Sequence, residues 1–182
     1  MKKIYILLSK TGTIPSRMIH LFKGGKFTHA SLSIEPRTDR FFSYARRKLH
    51  NTFIAGFIIE NIHKGVFSRY PNCKCRLYSL DVNDEAYEII EKKIAFFMEH
   101  YEKATYNFSG FFTMIFGKSA KRQLKHTCAQ FVATLLESSN AAKLPKSPQS
   151  MLPNDFMNIE NIELIYEGII DQCAIPDEAI IK

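Results

Sequence analysis

Apolar and polar residues alternate over residues 27–35, FTHASLSIE, with Ala30, Leu32 and Ile34 on one face and His29, Ser31, Ser33 and Glu35 on the other. That period of two predicts a strand whose second face is small and polar around a histidine. Upstream, the near-continuous apolar run of 3–9 predicts a buried first strand. Pro15 followed by Met18, Ile19 and Phe22 and closed by Gly24 and Gly25 predicts a short amphipathic helix. Turn residues at 36–39 lead into a returning strand at 40–45, and a further strand is predicted at 53–60. Gly56 inside it marks a bulge or a close approach by another backbone. A third long strand is predicted at 74–82. The period then changes to that of a helix over 83–103, where Tyr87, Ile90, Ile94, Phe97, Met98 and Tyr101 form one stripe and Asn83 or Asp84 caps the start. The segment 141–153 reads as a surface connection, 162–170 as a last strand or short helix at the sheet edge, and 176–182 as poorly ordered.

With 182 residues and 46% hydrophobic content, the chain closes one substantial core, and a single domain over 1–182 is expected. The net charge of +7 favours peripheral contact with an anionic membrane or cell-wall surface. No basic arm or zinc-finger spacing supports nucleic-acid binding. The run Ile4 to Leu8 is shorter than the core of a secretory signal and has no small-residue cleavage site after it, so a cytoplasmic location is expected. The apolar run 108–116, FSGFFTMIF, is followed by Lys118, Lys121, Arg122 and Lys125. It reads as core aromatics ahead of a solvated basic loop, with a membrane-touching edge as the alternative. Cysteines stand at 73, 75, 128 and 173, and the C-x-C spacing matches neither the usual zinc nor the thioredoxin pattern. A reduced setting without metal or other cofactor is expected.

The stretch 126–137, HTCAQFVATLLE, carries the chemistry. Thr127 and Gln130 form a capping box that starts a helix, which puts Cys128 in its first turn. The positive end of the helix dipole, with Lys125 and His126 just upstream, favours the thiolate and makes Cys128 the candidate nucleophile. Phe131, Val132, Leu135 and Leu136 hold that helix on a core. A thiol nucleophile needs a base, and of the six histidines His29 is the best placed, because Ser31 and Ser33 leave space beside it for a sulfur.

These two stretches resemble the circularly permuted branch of the papain-like NlpC superfamily, including the YiiX-like proteins. Its strand histidine is matched by Phe27, Thr28, His29 and Ala30, and its helix cysteine by Cys128, Ala129, Gln130, Phe131 and Val132. Tyr106 in ATYNFSG matches a tyrosine that lines the cleft in such families, and MLPNDF at 151–156 resembles the P-x-D segment after the cysteine helix. The resemblance implies an α+β, papain-like fold, a mostly antiparallel sheet packed against helices, permuted so that the histidine strand precedes the cysteine helix. It implies acyl transfer, with Cys128 attacking a carbonyl, His29 as general base and then acid, and the Cys128 backbone N–H in an oxyanion hole. The residue that orients the imidazole is expected on the returning strand, with Ser43 the first choice beside Tyr44. Glu35 shares the face of His29 but lies about 20 Å away along a straight strand.

The function expected is a thiol hydrolase that cleaves an amide or thioester, with a peptide or peptidoglycan stem peptide as first substrate class. The alternatives are a lipid-directed acyltransferase or phospholipase like the lecithin retinol acyltransferase group, and an inactive binding module on the same scaffold.

Overall fold

A computed structural model of the chain describes residues 1–10, 25–48, 51–108 and 123–175. The helix expected around Met18 to Phe22, the apolar run from 109 to 116 and the tail from 176 lie outside the described residues.

The described chain is α+β. Eight strands form one sheet: β1 (Lys2–Ser9), β2 (His29–Ser33), β3 (Phe41–Lys48), β4 (Asn51–Glu60), β5 (Lys74–Val82), β6 (Thr105–Tyr106), β7 (Lys125–His126) and β8 (Glu163–Ile169). Their order is β7-β6-β4-β3-β2-β1-β5-β8. Every neighbouring pair is antiparallel except β6 with β7. Strand β8 thus takes the edge beside β5, the place expected for 162–170. Strands β3 and β4 pair over most of their length, with a register shift between Arg46 and Lys48. Two α-helices are described, α1 (Asp84–Glu99) and α2 (Cys128–Ser138). Asn83 caps α1 by accepting from the Ala86 N–H at 2.7 Å, and the helix stops at Glu99, four residues short of the expected end at 103. Met98 and Tyr101 in its apolar stripe are exposed, so only the inner part of the stripe is buried.

The period-two pattern of each strand sends alternate residues to opposite faces, and here both faces are covered. One face, built on Ile4, Ile6, Leu8, Ala30, Leu32 and Phe42, packs against α1 and α2. Its centre is aromatic. Phe131 of α2 meets Phe97 of α1 at 5.2 Å and Tyr44 of β3 at 5.3 Å between ring centroids, and Phe57 of β4 meets Phe97 at 5.8 Å. Edge-to-face and offset pairs of this kind are worth about 0.5–1.5 kcal/mol each beyond their burial, so they fix α2 on the sheet. The opposite face carries a smaller core of Tyr5, Leu7, Phe41, Phe67, Leu77 and Ile170, among others. Because of it, all five residues of β2 are buried, the polar ones included. The polar face of β2 is therefore interior rather than an open cleft wall.

Gly56 does mark a close approach. A Cβ there would come within 2.1 Å of the Ala104 carbonyl, which accepts from Phe57 N–H at 3.0 Å and from the Arg47 guanidinium at 2.9 Å. This contact seats β6 against β4 and so brings Tyr106 to the end of the sheet where α2 begins. No helix among the described residues is long and apolar enough to cross a membrane.

Candidate active site

Thr127 and Gln130 close the capping box as their spacing demands. The Gln130 N–H donates to Thr127 Oγ1 at 3.2 Å, and the Thr127 N–H donates to Gln130 Oε1 at 3.0 Å. Gln130 is fully committed: its Oε1 also accepts from Asn107 Nδ2 at 3.3 Å and its Nε2 donates to the Gln149 carbonyl at 3.0 Å. Its side chain therefore fixes the helix start instead of facing a reacting oxygen. The segment 141–153 contributes more than a surface connection, since Pro148 and Met151 are buried and Gln149 ties to the cap.

The cap sets Cys128 as the first residue of α2, buried at 3% exposure. Its thiol lies within hydrogen-bonding reach of the His29 imidazole. His29 is the first residue of β2 and is itself buried at 7%. The ring is held from its far side by Glu60, the last residue of β4. His29 Nε2 stands 3.0 Å from Glu60 Oε1 and 2.9 Å from Oε2, and Glu60 is 9% exposed. With Nε2 committed to the carboxylate, Nδ1 is the nitrogen left for the sulfur. Burial alone pushes the imidazole toward the neutral form, but the Glu60 charge, hydrogen bonds to Cys128 and Glu60 and the Cys128 charge outweigh it and raise the His29 pKa well above its ordinary value.

Ser43 does not orient the ring. Its hydroxyl donates to the Ala30 carbonyl at 2.7 Å and ties β3 to β2, so the acid beside the histidine comes from β4, one strand further on. Glu35 is likewise engaged elsewhere, with Arg40 at 3.0 Å and Arg37 at 3.6 Å. Glu60 was overlooked because the expected orienting group was sought on the returning strand. Its one visible signal is a carboxylate closing the apolar run Phe57, Ile58, Ile59, a position where burial of a charge requires a partner.

Tyr106, on β6, lies near enough to feel the charge on Cys128. Burial, followed by the charge on Cys128, raises its phenol pKa well above the ordinary value, so the phenol keeps its proton. Its ring packs on Phe108 at 4.8 Å between centroids.

The segment MLPNDF acts on the histidine strand. Asn154 grips the backbone of Phe27 at two points, accepting from its N–H at 3.0 Å and donating to its carbonyl at 2.8 Å. Gly25 makes the approach possible, since a Cβ there would meet Asn154 Nδ2 at 2.0 Å. Asp155 accepts from the Leu152 N–H at 2.8 Å and pairs with Lys146 at 2.7 Å, which stiffens the turn that presents Asn154. Asn154→Ala removes both bonds two residues before His29. Its expected effect is a loss of about 1–3 kcal/mol of stability, the range for buried amide bonds, together with slower Cys128 alkylation. Thermal melting and iodoacetamide kinetics on the same variant check this.

The other described histidines do different work. His126 lies edge-on to Tyr44 and Phe97 in the aromatic core, and burial lowers its pKa. His100 closes α1 through Nδ1 and the Phe96 carbonyl at 2.9 Å, and His63 is exposed. Burial pushes the Cys73 thiol up to about 11, and a hydrogen bond with the Cys173 thiol, with burial, pushes Cys75 up. All four thiols are free.

A helix-start thiol within reach of a buried imidazole that is paired with a buried carboxylate defines a thiol–imidazole–carboxylate site on an α+β scaffold. Comparison of the chain with protein-family models, with curated proteins and with solved structures returned no match.

Proposed function

We propose that the protein is a cysteine hydrolase of the permuted papain-like kind, cleaving an amide or thioester, with a peptide or peptidoglycan stem peptide as the first substrate class. The observation that carries this reading is the buried His29–Glu60 pair at 2.9 Å, with the Cys128 thiol at the helix start within reach of the same ring. In it the order along the chain, histidine strand before cysteine helix, is the reverse of papain. Cys128 Sγ attacks the carbonyl carbon, and the oxygen that gains charge accepts from the Cys128 backbone N–H and the Tyr106 hydroxyl. The imidazolium then protonates the leaving amine or thiol, and the neutral imidazole removes a proton from the water that releases the acyl group. Glu60 holds the ring in place and favours its charged form. The carboxylate of Glu60 against the ring favours this reading over an inactive binding module on the same scaffold.

The reading is tested by incubating the protein with a phenyl thioester and measuring both thiol release and intact mass. The expected result is an acyl adduct on Cys128 that precedes turnover and is absent in Cys128→Ser. An adduct on Cys73 instead, or none on any cysteine, overturns it. Tyr106→Phe keeps the ring packing and removes the hydroxyl, so kcat is expected to fall by about 10- to 100-fold with KM little changed, a somewhat smaller loss than that of a backbone-rigid oxyanion donor.

A further inference from the structure

The hydrogen-bonded row that carries His29 continues across the sheet away from Glu60. Ser9 of β1 is level with His29, Cys75 of β5 is level with Ser9, and Gly168 of β8 is level with Cys75. At about 4.8 Å per strand, Cys75 stands about 10 Å and Gly168 about 14 Å from His29. Over that far end of the row opens a recess of about 430 Å³ whose wall includes Lys10, Lys26, Lys74, Cys75 and Glu167.

The lysines of this recess are unpaired. Glu167 is taken by Arg76 at 2.8 Å, while Lys10, Lys26 and Lys74 make no ion pair among the described residues. Their backbones are held together: the Lys10 N–H donates to the Lys74 carbonyl at 2.9 Å, the Thr28 N–H donates to the Ser9 carbonyl at 3.0 Å, and Asn154 clamps Phe27 beside Lys26. Three lysines without an ion pair are thus brought to the wall of one concavity by fixed main chain, where an anion would meet more positive than negative charge. Between the recess and His29 stands Ser9, which is fully buried and whose hydroxyl has no hydrogen-bond partner among the described residues. Ser9 and Cys75 share the face of His29, while Lys10 and Lys74 flank that row at the strand ends, where β1 finishes and β5 begins.

We infer that the recess is an anion subsite of the Cys128 site and that it holds a phosphate group carried by the substrate, about 10–14 Å from the scissile carbonyl by the strand spacing. This inference rests on the hydrolase reading for its role in catalysis, but not for the binding itself. Phosphate is favoured over carboxylate by charge: three lysines match a dianion, and lysine binds phosphate as a point charge where a planar carboxylate would call for an arginine fork. The substrate is then an amide or thioester that carries a phosphate group.

The test is calorimetric titration of the full chain with phenyl phosphate, and with phenylacetate as the carboxylate control. Phenyl phosphate is expected to bind at least tenfold more tightly than phenylacetate. Lys10→Ala and Lys74→Ala are each expected to weaken it about tenfold, while Lys125→Ala, on the far edge strand, leaves it unchanged. Equal affinity for the two probes, no binding, or an equal loss in Lys125→Ala overturns the subsite. Phosphatidylglycerol vesicles distinguish the source: capture that is lost in Lys10→Ala assigns the phosphate to a lipid headgroup, and phenyl phosphate binding without capture assigns it to a small ester. Phosphate binding by a protein whose Cys128 forms no acyl adduct keeps the subsite and removes the hydrolase reading. An adduct without phosphate binding does the reverse.

Discussion

Replacement of His29 by Ala is expected to slow alkylation of Cys128 at pH 7 by about one to two orders of magnitude, because an unassisted thiol is only a few per cent ionised there. The imidazole supplies the positive charge nearest to the sulfur, and the capping box contributes only the partial charge of a helix start. Turnover of a thioester is expected to fall further than alkylation, by about 10²–10⁴-fold, since the leaving group then lacks its proton donor as well. The gap between the two losses separates stabilisation of the thiolate from acid catalysis. If alkylation and turnover were both unchanged in His29→Ala, the sulfur and the ring would have no chemical connection. Circular dichroism on the same preparation establishes that the variant is folded.

Glu60→Gln carries the second large effect. The substitution keeps size and hydrogen-bonding capacity but removes the charge that outweighs burial at His29, so the ring loses its bias toward the imidazolium. The alkaline limb of the turnover profile, which reports loss of that proton, is expected to move to lower pH, with kcat at neutral pH down by about 10²-fold or more. The stability effect has a definite sign. A histidine whose folded-state pKa lies well above its unfolded value of about 6.5 stabilises the fold fully below that value, and the contribution is lost as pH rises through the folded-state pKa. The wild type is therefore expected to lose thermal stability on the alkaline side of pH 6.5 more steeply than Glu60→Gln. At pH 6 the variant is the less stable of the two, since breaking a buried ion pair costs about 3–5 kcal/mol. Parallel melting curves in Glu60→Gln and wild type between pH 6 and 9 would show that the carboxylate does not set the protonation of the ring.

The elements that could be read from the chain are those in which local signals agree with the packing. The Cys128 helix announces its start through Thr127 and Gln130, and the side chains close the box. Strand β5 occupies the expected 74–82 because its ends coincide with turn and cap residues. Gly56 signalled the close passage of β6, although which backbone would approach was not visible. The missing parts depend on three-dimensional pairing. Glu60 reaches His29 across a strand that separates them in the sheet, and no spacing in the sequence encodes which strands are neighbours. The polar face of β2 looked like an open wall because His29, Ser31 and Ser33 are hydrophilic. The second core, assembled from Phe67, Ile170 and other residues distant along the chain, covers it. Asn154 lay inside a recognised motif, but its grip on Phe27 spans 127 positions of sequence.

The account turns on a charged imidazole held between a sulfur and a carboxylate, and nitrogen-15 NMR of the histidine side chains reads that state directly. Titrated from pH 5 to 10, His29 is predicted to remain doubly protonated through neutral pH in the wild type. It should release its proton at lower pH in Cys128→Ala, where the sulfur's charge is gone, and at lower pH again in Glu60→Gln. A ring that titrates near 6.5 in all three proteins, or that is neutral at every pH, would contradict the proposed site.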